Sequence, residues 1–114
     1  MENLALKMTL KDAVASGTIL QEDQQYIETM VEQDNSEEAL KVLQDWRNYW
    51  AKSVNTASST YLDGIQGKQN LEKKDLNKAI KKAAASSVHI MGILRLEEQI
   101  RIRNGAWQNY EWFQ

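Results

Sequence analysis

Between Ala39 and Ile65 the apolar residues recur at steps of three and four: Ala39, Leu43, Trp46, Trp50, Val54, Ala57, Tyr61 and Ile65. Those steps keep one side of an α-helix facing one way. No proline occurs in the chain, and no glycine interrupts this run before Gly64. A second run follows a break that contains Gly67 and Asn70: Leu76, Ile80, Ala83, Ser87, Ile90 and Leu94. The pattern predicts two long helices over 36–66 and 70–103, joined by a turn short enough to make them antiparallel neighbours. At 1.5 Å per residue the arms reach roughly 40–50 Å. The polar segment Ser53–Thr60 keeps the period through Val54 and Ala57, so it reads as a thin stretch of helix. The alternative is a break near Asn55-Thr56, because Ser, Asn and Thr are middling helix formers.

The first 35 residues predict two short helices. Thr9 caps one over 10–16, with Asp12 three positions on as an acidic capping-box partner. Gly17 is its natural C′ residue, where a left-handed conformation costs glycine little. The second spans about 21–32, with Tyr26, Ile27, Met30 and Val31 on its apolar side and Glu22 and Asp23 at the positive end of its dipole. Asp34-Asn35-Ser36 stops that helix and starts the next. The fold class is therefore all-α: a long, coiled-coil-like antiparallel helical hairpin, two short N-terminal helices, and an aromatic tail over 104–114, in one domain spanning 1–114.

A hairpin folded about residue 68 sets Trp46 and Trp50 level with residues 86–90. The sequence there is small, Ala83-Ala84-Ala85-Ser86-Ser87, so bulky indoles interdigitate with small side chains. The alternative is that the alanines admit a third helix at close range. Val88 and Met91 lie beside the Ile90/Leu94 stripe, and Val42 and Tyr49 lie beside Leu43/Trp46/Trp50. That is more apolar surface than a hairpin covers. The short helices are expected on one side and a second copy of the chain on the other.

Composition narrows the setting. The 114 residues contain no cysteine, which excludes disulfides and thiolate metal sites. No stretch approaches the roughly 18 apolar residues of a membrane span, and the acidic start does not read as a secretion signal. The expected location is the cytoplasm or an assembled particle, with no membrane contact. Net charge is −2, but residues 1–45 carry ten acids against three lysines, and residues 46–114 carry six acids against eleven bases. Such asymmetry either neutralises itself within one fold or supports head-to-tail docking and basic-surface binding.

Catalytic chemistry finds no foothold. His89 is the one histidine, too few for a histidine metal site, and it reads as structural or surface. Gly67-Lys68 fails the phosphate-loop pattern, because Leu62 stands where the first glycine belongs and Gln69 replaces Ser/Thr. Glu72 and Asp75 form one Glu-x-x-Asp pair where a helical magnesium site needs pairs on facing helices. No catalytic, cofactor-binding or metal residue is assigned.

Two features do suggest binding. Lys68, Lys73, Lys74, Lys78, Lys81 and Lys82 crowd the turn and the start of the last helix. Such a stripe is a solvated helix face, a match for an acidic surface such as residues 22–38 of another copy, or a phosphate-binding strip. The tail holds Trp107, Tyr110, Trp112 and Phe113, strong interface anchors. They suit folding back onto the core, an intersubunit contact, or stacking on single-stranded bases with Arg101 and Arg103 nearby. The reading is a non-enzymatic, self-associating helical interaction protein of structural, adaptor or regulatory kind, its contacts made by the tail aromatics with Val88 and Met91. The alternative is a nucleic-acid accessory protein binding phosphates through Lys73, Lys74, Lys78, Lys81 and Lys82. A small, proline-free, cysteine-free chain with an acidic front and a basic back suits a viral or phage accessory or assembly protein, an analogy of style only.

Overall fold

The computed structural model describes residues 4–103. Their secondary structure is helical throughout: α1 Leu4–Ala15, α2 Gln21–Glu32, α3 Ser36–Ile65 and α4 Lys73–Arg103. α3 runs unbroken through Asn55-Thr56.

Three helix ends share one stop. After α1, the Gly17 N–H bonds the Val14 carbonyl (3.0 Å) and the Thr18 N–H bonds the Ala13 carbonyl (2.8 Å). After α3, Gly67 reaches Gly64 (3.3 Å) and Lys68 reaches Asp63 (2.9 Å). After α2, Asp34 reaches Val31 (3.2 Å) and Asn35 reaches Met30 (2.8 Å). This double bond pattern satisfies two orphan carbonyls and requires a left-handed residue at C′. Gly17 (φ 79°) and Gly67 (φ 74°) adopt it freely, while Asp34 (φ 59°) adopts it despite its Cβ.

Starts were harder to read. Thr9 does not cap a helix: α1 begins five residues earlier, and the Thr9 hydroxyl donates back to the Ala5 carbonyl within it (2.9 Å). α4 begins at Lys73 rather than at 70, and the Asp75 carboxylate accepts the exposed Glu72 N–H (3.2 Å). α2 is opened by Asp23, whose carboxylate accepts the Leu20 N–H (3.0 Å).

α3 and α4 pack along each other, and their contacts pair in reverse order. The Ser53 and Ser86 hydroxyls bond at 2.8 Å, Trp50 stacks on His89, and Arg47 reaches Glu97. At the bend, a Cβ on Gly64 would run into the Leu76 side chain, so the two helices meet there because residue 64 has none. The main buried cluster lies at the opposite end. Leu6, Leu10 and Ala13 of α1, Ile19 of the loop after it, Ile27 and Val31 of α2, Ala39 and Leu43 of α3, and Ile93, Leu96 and Ile100 of α4 close it. It takes no residue from 51–92. Toward the bend the two helices meet through small groups, with Ala57, Ala79 and Ser86 buried.

The buried face of α4 is not the predicted one. Ile80, Ser87 and Leu94 are exposed, and Ala79, Ser86, Ile93, Leu96, Glu97 and Ile100 are buried instead. The run from Ala83 to Leu94 contains no charged residue, so polarity could not fix its phase. Glu97 lies on the inner face despite its charge, because Arg47 and Arg101 bond it there. The indoles are also placed differently. Ala84 and Ala85 are exposed rather than covered. Trp46 and Trp50 turn toward α2 and the loop before it, and the ring opposite Trp50 is His89.

Candidate functional site

The aromatic residues of α3 sit one turn apart and build a small stack. Trp46 and Trp50 are 6.3 Å apart at 25°, and Tyr49 stands edge-on to both (5.3 and 4.9 Å). His89 of α4 stacks on Trp50 at 4.1 Å. Hydrogen bonds lock the stack to the front of the chain. The Trp46 Nε1–H donates to Asp23 Oδ2 (2.9 Å), the oxygen that also accepts the Leu20 N–H. The Trp50 Nε1–H donates to the Thr18 carbonyl (3.0 Å), and Thr18 Oγ1 shares a 2.7 Å bond with His89 Nδ1. His89 is thus held by two residues, Trp50 and Thr18, and the three do not form a nucleophile–base–acid array. Among the described residues no group of His, Asp or Glu has metal-site geometry.

Next to the stack, a groove of about 510 Å³ runs between α3 and α4. Tyr49, Trp50 and His89 form one end, and Thr56 and Lys82 the other, with Lys52 one turn along α3 from Tyr49 and the bonded Ser53 and Ser86 between the ends. No carboxylate lines it. Of these, the sequence singled out Tyr49, Trp50, Lys82, Ser86 and His89 but not Lys52. The Tyr49/Ser53/Thr56 and Lys82/Ser86/His89 spacings carry the signal, since residues three and four apart share a helix face.

The outer surface of α4 carries the other two features. Val88 and Met91 are 69% and 66% exposed, the two most open large apolar side chains described. Ile80, Ala84 and Leu94 are exposed on the same side by helical spacing. Lys73, Lys74, Lys78, Lys81 and Lys82 are all exposed. Lys74 pairs with Glu72 (3.6 Å), both ends in solvent. Lys68 is exposed in the turn, Arg101 bonds Glu97 (3.4 Å), and Arg103 is exposed at the end of α4. Trp107, Tyr110, Trp112 and Phe113 lie outside the described residues.

No described helix is long and apolar enough to cross a membrane. No protein-family model, curated protein or solved structure matches the chain.

Proposed function

We propose that this chain is a non-enzymatic helical interaction protein that associates with itself through the outer face of α4. The observation that carries the reading is a surface stripe of Ile80, Ala84, Val88, Met91 and Leu94 on a helix whose other side is already packed. Solvated helix faces normally carry charge, whereas the centres of protein interfaces are depleted of it. Residues 83–94 have none. A stripe of this kind is self-complementary: two copies related by a twofold axis place Met91 and Val88 of one against Ala84 and Ser87 of the other. Twofold contacts are the commonest way for a chain to pair with itself. The coiled-coil-like hairpin then serves as a rod that presents this face, as suits a structural, adaptor or regulatory component, including an accessory or assembly protein of a particle. The tail aromatics Trp107, Tyr110, Trp112 and Phe113 supply further anchors in this reading.

Light scattering over a concentration series tests it. The native chain is expected to shift to twice its monomer mass, and Val88→Glu with Met91→Glu to remain monomeric with unchanged helicity. Identical masses for the two proteins would remove the proposal.

A second reading is favoured by the exposed lysines. Lys73, Lys78, Lys81 and Lys82 have no carboxylate at ion-pair distance among the described residues. As a phosphate-binding strip they would give affinity for DNA or RNA that falls steeply with salt and drops when they become Glu. Absence of binding at low salt would dismiss it.

A further inference from the structure

From the groove between α3 and α4 we infer a binding site for a nucleotide unit, with a planar base against Tyr49 and a phosphate between Lys52 and Lys82. It rests on neither of the preceding readings, since Val88 and Met91 lie outside it and Lys82 is the one strip lysine that lines it. Three observations converge. Tyr49 is 58% exposed, and its ring lies across both indoles at 77° and 82° rather than stacked on either. Aromatic faces of this kind are stacking platforms for bases. Lys52 and Lys82 have no carboxylate at ion-pair distance among the described residues, and the lining holds no acid. Lys52 stands about one helical turn from Tyr49 along α3, and Lys82 about two turns from His89 along α4, at about 5.4 Å each, a span that a sugar covers. The Ser53 hydroxyl lies between the aromatic end and Lys82, and the Thr56 hydroxyl one turn further along α3. The volume of about 510 Å³ falls in the range of small-ligand pockets, about 300–1,000 Å³.

The aromatic end is rigid. Trp50 is fixed by Thr18 and His89 (3.0 and 4.1 Å), and Ser86 is tied to Ser53 (2.8 Å). A site whose walls are already held loses less on binding. Either a free nucleotide or one residue of a single strand has this chemistry.

Calorimetric titration of the full chain with AMP, with oligothymidylate and with inorganic phosphate tests the site. We expect saturable binding of AMP or of oligothymidylate, weakened about tenfold or more by Tyr49→Ala and by Lys52→Glu. Tyr49→Phe keeps the ring and is expected to bind as the native chain does, which covers the case in which Tyr49→Ala fails to fold. Lys78→Glu and Val88→Glu, outside the groove, should leave binding unchanged. Tight AMP binding identifies the free nucleotide, and binding of oligothymidylate alone identifies a strand. Three results overturn the site: no saturable heat with either ligand, phosphate binding as tightly as AMP, or an equal loss from Lys78→Glu. Since Val88→Glu with Met91→Glu is expected to abolish self-association and, with both residues outside the groove, to spare this binding, the two proposals fail separately.

Discussion

The Glu97 carboxylate is 2% exposed and faces two guanidiniums. Arg47 gives it two hydrogen bonds (2.9 and 3.3 Å), and Arg101 adds a third at 3.4 Å. A carboxylate taken out of water costs several kcal/mol unless its oxygens are bonded in this way. Removing Arg47 would leave it to one long contact. Arg47→Ala is therefore expected to lower stability by about 2–4 kcal/mol, seen as an earlier urea midpoint at unchanged slope, and an unmoved midpoint would show the pair contributes nothing. Trp50 has a polar duty as well. Trp50→Phe keeps the stack on His89 but leaves the buried Thr18 carbonyl without its indole donor, at a cost of about 1 kcal/mol. Equal stability for that variant would mean that water replaces the bond.

At the scale of elements, the three shared stops differ in one respect. Gly17 sits in open space with φ 79°, so a methyl there meets no neighbour and is penalised through the backbone alone. Gly17→Ala is expected to cost about 1 kcal/mol, and Asp34→Gly to gain about 0.5–1 kcal/mol, because a left-handed residue with a Cβ pays a steric penalty that glycine avoids. Thermal unfolding of both variants checks the pair, and shifts of the same sign would contradict it. These stops were the most legible part of the sequence, since glycine at a helix end has a local cause. Starts were less so. Asp23 and Asp75 cap from inside the first turn, where an acid also suits the dipole, and Thr9 looked like a cap while lying mid-helix. The inner face of α3 was readable because charged residues flank its aromatic steps. That of α4 was not, because Ser86 and Glu97 are buried by partners on α3, Ser53 and Arg47, that no local pattern announces. The groove was half visible: the aromatic steps stood out, but Lys52 joins Lys82 only once the register of the two helices is known.

For the whole molecule, the buried cluster and the bend occupy opposite ends of a body with extents of 56 × 37 × 19 Å. α1 and α2 thicken one end. Toward the bend, α3 and α4 meet through alanine and serine, which bury little apolar area. Amide protection should follow that gradient, highest in 39–43 and 93–100 and lowest in 57–80, as local opening tracks buried contact. Uniform hydrogen exchange along α4 would contradict it. An exposed apolar stripe crosses from the thin end into the thick one, from Ile80 to Leu94. Pairing two copies along it would reinforce the region that has least packing of its own.

Site-specific disulfide trapping tests that pairing most directly, because the chain has no cysteine of its own. Single variants Ala84→Cys, Val88→Cys and Met91→Cys, oxidised at low protein concentration, are expected to give a covalent dimer for at least the position nearest the twofold axis. Lys41→Cys, exposed on another helix, should stay monomeric. Dimer yields from all three stripe positions no greater than that of the Lys41→Cys control would contradict self-association through α4.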